Sequence, residues 1–301
     1  MAKQTLITSR DPKGLHAVGL FEAVYNKAKL DDARAQRLNE HGGELQDGIA
    51  KLITELTTSN LYADEEVSSS YTYPKEYKGP KPISEQVDIL AKLLGLSLGF
   101  TSEYIEKVLP TLELPNGAEG WFAIPSVGAL AARFFPEVKD EAECYCRAVQ
   151  LIHEKIAASR PFYNCREGEI TTDHLRVHVR TAHALDLIAE TQKGDILIIA
   201  AQVGMRHRGK SVRRAREVFV ANEFGLGSLA VGSIALTHPD RFVRFDELDV
   251  DCAGDEFSPD ADGDFSRAPD FLFSVGEVRF GAGWVDGAGG YFGSASGLLA
   301  Q

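Results

Sequence analysis

The chain has 301 residues, 44% of them hydrophobic and 25% charged, proportions that exclude a disordered, collagen-like or repeat-tract protein. Its 32 Lys/Arg against 44 Asp/Glu give a formal net charge of −12. That balance argues against holding a polyanion through the overall field, while leaving room for a local basic site. No run of about 18 apolar residues is present, so no transmembrane helix is expected. The first residues lack the apolar core of a secretory signal, and Cys144, Cys146, Cys165 and Cys252 are too sparse for a disulfide scaffold. Buried free thiols and a cytoplasmic, non-membrane protein are the expectation.

Taken in chain order, apolar residues at three-to-four spacing predict helices over 15–29 and 44–57, with Gly42-Gly43 as a break between helices. Asp31-Asp32 can start an intervening helix, because a short carboxylate accepts the free amides of a first turn. Residues 62–83 are polar and carry Pro74, Pro80 and Pro82 with three consecutive serines, a loop or linker. Its Tyr71, Tyr73 and Tyr77 suit either stacking on bases or, with the heavier weight, anchoring the loop to the body. Helices follow from Ser84 and Ser102, then a turn at Pro115-Asn116-Gly117 and a short extended segment, Trp121–Pro125. Further helices are predicted over 126–136 and 139–159. From 162 the texture changes: Phe162-Tyr163 is extended, and Thr172 or Asp173 caps a predicted helix to about 191. Asp195–Val203 is the clearest buried strand, a nearly continuous apolar run between glycines. Phe271–Phe273 and Val278–Phe280 flank a hairpin turn, and the glycine-rich tail 281–297 is predicted as loop or sheet edge. The expected fold is α+β, a helical N-terminal part followed by a compact mixed α/β C-terminal part around a central buried strand. Its parts are residues 1–70, then 84–160 after the linker, then 161–301, which carries the charged clusters.

Two nucleotide-binding patterns compete for one stretch of chain. Gly204–Ser211 has the spacing of a phosphate-binding loop, in which glycine amides cradle phosphate, Lys210 meets the terminal phosphates and Ser211 meets Mg²⁺. It follows a buried strand, yet only 90 residues remain after it, too few for the usual further strand–helix units. Gly225, Gly227 and Ala230 fit the dinucleotide fingerprint, with Asp246 about where a ribose-binding acid belongs. That pattern needs 218–224 as a strand where the first needs a helix, so at most one holds. A glycine-rich helix entry that allows close packing explains the second as well.

Charge is sorted along the C-terminal half. Between Gly204 and Arg216 lie Arg206, Arg208, Lys210, Arg213, Arg214 and Arg216, with His207 and no acid. Guanidinium forks suit bidentate contact with phosphate or carboxylate. Arg176, Arg180 and His183 add to this array if they share one helix face. Asp246 to Asp270 holds ten acids against Arg267, among them Asp249, Asp251, Asp255 and Glu256 and the loop Asp260, Asp262, Asp264. Alternate short carboxylates can converge on a hard cation such as Mg²⁺ or Ca²⁺, although the loop departs from the EF-hand pattern at two positions.

Other chemistry is weaker. His174 and His178 have metal-ligand spacing on the predicted helix but no third ligand nearby, and Gly293–Gly297 fails as a nucleophile elbow because Ala295 stands at its centre. At 114–125, 206–219, 252–269 and 293–297 the chain resembles a family of bacterial proteins without an assigned activity, so the resemblance implies no cofactor and no catalytic residue.

Two functional expectations follow. In the first, Arg206, His207, Arg208, Lys210, Ser211, Arg213, Arg214 and Arg216 bind the phosphates of a nucleotide or nucleic acid. Asp249, Asp251, Asp255, Glu256, Asp260, Asp262 and Asp264 would then offer a divalent cation for phosphoester chemistry. In the second, the chain is a non-enzymatic structural or assembly protein, with homo-oligomerisation open to it. Its Arg and Asp clusters then pair internally or between subunits.

Overall fold

A computed structural model of the chain describes residues 7–57 and 59–300. The chain divides after residue 57 into two compact units. The N-terminal unit is helical: α1 (Pro12–Lys27), α2 (Asp32–Glu40) and α3 (Gly42–Thr57). The expected carboxylate cap is present, since Asp31 accepts the Arg34 amide at 2.8 Å. Gly42-Gly43 does not interrupt a helix but opens α3, so the break falls at His41. None of these three helices buries a residue.

The second unit is built on two sheets. The first runs β1 (Gly120–Pro125), β4 (Ile196–Gln202), β11 (Ser296–Leu298) and β5 (Glu223–Gly225), with all neighbours antiparallel. Every residue of β4 is buried, as its unbroken apolar run requires of a strand covered on both faces. Helices α4 (Ile83–Leu94), α7 (Glu141–Ser159) and α10 (Ser228–Thr237) pack on and beside β1, and α10 is buried along its whole length. Of the apolar stripe at Ala148, Leu151, Ile152 and Ile156, helix α7 buries all but Leu151, which is half-buried, and it buries Val149 as well. Helices α5 (Gly99–Lys107), α6 (Val127–Phe134) and α8 (Val179–Gln192) complete the shell, with the seven-residue α9 (Val212–Val218) further along the chain.

The second sheet holds β10 (Phe292–Ser294), β6 (Asp249–Asp251), β8 (Arg267–Ser274), β7 (Asp255–Phe257) and β3 (Leu175–Val177), with β9 (Glu277–Trp284) joining β8 to β2 (Phe162–Asn164). Strands β8 and β9 form the predicted hairpin, turning through Val275 and Gly276, both at positive φ. Helices dominate the N-terminal half and strands the C-terminal half, an α+β protein. Among the described residues no helix is long and apolar enough to cross a membrane.

Two local expectations are corrected. The predicted helix over 172–191 is instead β3 followed by α8: Leu175 and Val177 alternate against Phe257 and Asp255 of β7, and cross-strand pairing overrides the helical periodicity. His178, not Thr172 or Asp173, caps α8 by accepting the Arg180 amide at 3.3 Å. The tail is in part what its glycines predict, with 285–291 a loop and β10 an edge strand of the second sheet, but β11 is interior, lying between β4 and β5. Its glycines permit this depth: a Cβ at Gly297 would stand 2.5 Å from the Phe224 ring, and one at Gly293 would stand 2.3 Å from the Gly204 carbonyl oxygen. At these two positions the absent side chains admit neighbouring chain.

Candidate functional site

The basic segment lies between β4 and α9, where a 3-10 turn (Met205–His207) leads to Gly209 at positive φ and then to α9. This is the strand–loop–helix layout that the spacing predicts, but its donors are spent within the chain. The Met205 amide donates to Tyr73 Oη at 3.1 Å and the Arg206 amide to Gln202 Oε1 at 3.2 Å. The amides of Gly209 and Ser211 donate to the carbonyls of Phe292 (2.9 Å) and Glu65 (3.1 Å). A phosphate cradle needs those amides free. Ser211 is committed twice, accepting the Arg214 amide at 3.1 Å as the helix cap and donating to Glu65 Oε2 at 2.6 Å.

The seven basic side chains are brought together as expected, and each meets an acceptor of the chain itself. Arg213 Nε donates to both oxygens of Glu65 at 2.8 Å. Lys210 lies 3.5 Å from Glu66. Arg214 bridges Glu66 (2.6 Å) and Glu217 (2.8 Å). Arg206 and His207 both reach Glu223, at 3.2 and 2.7 Å. Arg208 donates to the Tyr71 carbonyl at 2.9 Å, and Arg216 to the carbonyls of Ala253 (2.9 Å) and Asp255 (2.6 Å). Neutralisation therefore comes from four glutamates on the 59–66 segment, α9 and β5. The aspartate cluster contributes less: Glu256 stands 3.9 Å from Arg216 and pairs more closely, at 2.7 Å, with Arg176. Arg176 on β3 and Arg180 on α8 do not share a helix face.

Two carboxylates register this pairing. Burial pushes Glu217 up, but hydrogen bonds from Ser59, Arg214 and the amides of Tyr62 and Leu61 outweigh it and hold its pKa at about 2. Burial likewise raises Glu223, and bonding to His207 and Ser296 with the charge of Arg206 overcomes it. The three loop tyrosines act as anchors. Tyr73 donates to Glu119 under the Arg241 guanidinium, Tyr77 packs edge-on against Tyr73, and Tyr71 meets Tyr291.

The dinucleotide pattern resolves as close packing. Gly227 sits where a Cβ would press on Asp255 Oδ1 and Tyr145 Oη, each 2.4 Å away. The Asp255 carboxylate takes the anion's place at the start of α10, accepting the Ser228 amide at 2.6 Å and the Tyr145 hydroxyl at 2.8 Å. Asp255 is thereby withdrawn from any cation site, and Glu256 is held by Arg176. Asp262 closes the exposed acidic loop on itself, accepting from Ser258 Oγ (3.2 Å) and the Asp264 amide (2.9 Å), while Asp260 and Asp264 stay exposed. Among the described residues no three His, Cys, Asp or Glu side chains gather as a metal-ligand set. His174 bonds the Ser258 carbonyl and stacks on Phe257, and His178 is a helix cap.

Asp249 and Asp251 are buried or half-buried and, like the exposed Asp260 and Asp264, form no ion pair with Lys or Arg among the described residues; the sheet adds Asp270 to them. Asp251 pairs with Asp270 across β6 and β8, and Asp249 lies two residues away on the same face. Burial, with mutual repulsion, raises Asp249 to about 7 and Asp251 well above the carboxylate range, and burial raises Asp270 to about 7. Asp270 is one of ten acids between Asp246 and Asp270, and only the cross-strand register singles it out. A separate apolar groove of about 380 Å³ lies over β4, lined by residues including Tyr104, Trp121, Leu187, Ile198 and Leu298. It contains none of the charged candidates. Compared with family models, curated proteins and solved structures, the chain returns no match.

Proposed function

We propose that the protein serves as a structural or assembly component, and that its basic segment is an internal clamp rather than a phosphate-ligand site. One observation carries this reading: each of the seven basic side chains from Arg206 to Arg216 is engaged by a carboxylate or carbonyl of the same chain. The clamp ties the 59–66 segment to α9, the loop after β4 to β5 and to Tyr71, and α9 to the carbonyls of Ala253 and Asp255, so that separate stretches of chain are held through one basic segment. Because the pairs are made within one chain, they support an internal network rather than one between subunits. A phosphate could enter only by displacing Glu65 or Glu66 from Arg213 and Arg214, whose bonds are charge-assisted.

Replacing Arg213 and Arg214 together by Ala separates the readings. A clamp predicts a marked fall in melting temperature. A phosphate-ligand site predicts unchanged folding with loss of nucleotide or polynucleotide binding at low salt, where such contacts are strongest.

A further inference from the structure

We propose that Asp251 and Asp270, with the Ser294 hydroxyl beside them and Asp249 next on the strand, hold a hard divalent cation of the Mg²⁺ class. This goes beyond the clamp and does not depend on it.

Register places the groups. Antiparallel pairing of β6 with β8 sets Asp251 directly opposite Asp270, so their carboxylates leave the same face of the sheet about 5 Å apart at Cβ. Parallel pairing of β10 with β6 sets Ser294 opposite Asp251, on that same face. Like charges directly opposed on a sheet are destabilising, and desolvation makes them more so. The usual remedy is a cationic side chain within bonding distance. Arg241, Arg216 and Arg166 lend their fields to Asp249, Asp251 and Asp270 respectively, but among the described residues none of the three carboxylates forms an ion pair with Lys or Arg.

A second observation points to a missing group. Ser294 is fully buried, and its hydroxyl has no hydrogen-bond partner among the described residues. A buried hydroxyl without a partner is destabilising, because its lost hydration is not replaced. A cation with its inner water between Ser294 and the two carboxylates supplies that partner and removes the repulsion together. Glycine at 281 on β9 gives the Asp270 carboxylate its room, since a Cβ there would stand 2.8 Å from Asp270 Oδ1. Asp251 and Asp270 are both buried, with 9% and 5% of their surface accessible. Two carboxylates and a hydroxyl fall short of the six to eight oxygens that Ca²⁺ takes. They suit Mg²⁺, which binds through one or two carboxylates and retains waters.

The test uses the full chain and Mn²⁺ as a spectroscopic stand-in for Mg²⁺, with free Mn²⁺ read by electron paramagnetic resonance. The expected result is one bound equivalent, displaced by Mg²⁺. Binding should weaken at least tenfold in Asp270→Asn and in Asp251→Asn and stay unchanged in Asp260→Asn on the exposed loop. In the unaltered protein, binding should tighten as pH rises from about 6 to about 8, because protons leave the carboxyls on binding. This arm needs no variant to fold. Absence of saturable binding at millimolar Mn²⁺, a flat pH response, retention in both strand variants, or loss in Asp260→Asn overturns the proposal.

Discussion

Glu217→Ala is the sharpest single perturbation of the clamp. The carboxylate, 6% exposed, accepts the Leu61 amide at 2.6 Å, the Tyr62 amide at 3.2 Å, the Ser59 hydroxyl and Arg214 Nη1 at 2.8 Å. Removing it strips acceptors from two backbone amides and one partner from a guanidinium that is 11% exposed. A hydrogen bond to a charged group contributes about 1.5–3 kcal/mol net, and solvent can replace part of the loss at this half-open site. The expected destabilisation is therefore about 3 kcal/mol, below the sum of the separate bonds because they share one acceptor group. For a unit of this size that lowers the melting temperature by about 6–12 °C. Urea unfolding measures the free energy, and hydrogen exchange at the Leu61 and Tyr62 amides gives a local readout. The carboxylate is held near 2 against 4.5 for a free Glu, so its contribution is complete above about pH 4.5 and lost as pH falls toward 2. The difference between parent and variant should shrink over that window. A loss under about 0.5 kcal/mol with unchanged exchange at both amides would refute the reasoning.

The other predictions concern separate parts of the unit. Asp270→Asn, assayed without divalent ions, should raise the melting temperature at pH 8 and leave it nearly unchanged at pH 4: a carboxyl raised to about 7 in the fold weakens stability as pH climbs from about 4 through 7, and the amide escapes that penalty. His153 is buried among Phe162, Phe271 and Phe280 with neither ring nitrogen bonded among the described residues, and burial holds its pKa near 3. His153→Leu should therefore stabilise by about 1 kcal/mol in urea titration, and a loss of stability would count against an unsatisfied imidazole. Gly293→Ala puts a methyl 2.3 Å from the Gly204 carbonyl oxygen, backbone against backbone, and should cost about 2–3 kcal/mol by thermal unfolding; a neutral result would contradict the close approach of the tail to β4.

The legible parts of the fold were those with local causes. The run at 195–203, the stripe on α7 and the carboxylate at Asp31 each carry their structure within a dozen residues, and each stands where periodicity or capping put it. Residues 172–178 did not, because Leu175 and Val177 are a strand only by virtue of Phe257 some 80 positions on. The tail was legible only in part: its loop and the edge strand β10 are as expected, whereas β11 is interior because its glycine serves a contact with Phe224 that the local sequence does not contain. For the candidate site, the basic segment was legible as a cluster but not in its partners. Glu65 and Glu66 sit in a polar stretch that reads as linker, nearly 150 residues from Arg213 and Arg214. The density of acid after Asp246 likewise concealed three fates, with Asp255 capping a helix, Asp262 closing a loop, and Asp251 facing Asp270.

Binding of a fluorescent single-stranded oligonucleotide and of a nucleoside triphosphate at about 20 mM salt, followed by anisotropy with the unaltered protein and with the Arg213→Ala/Arg214→Ala double variant, tests the clamp most directly. The account predicts no saturable binding by the unaltered protein, together with a melting temperature lowered by several degrees in the variant. Saturable binding that disappears in a variant melting at the parental temperature would contradict it.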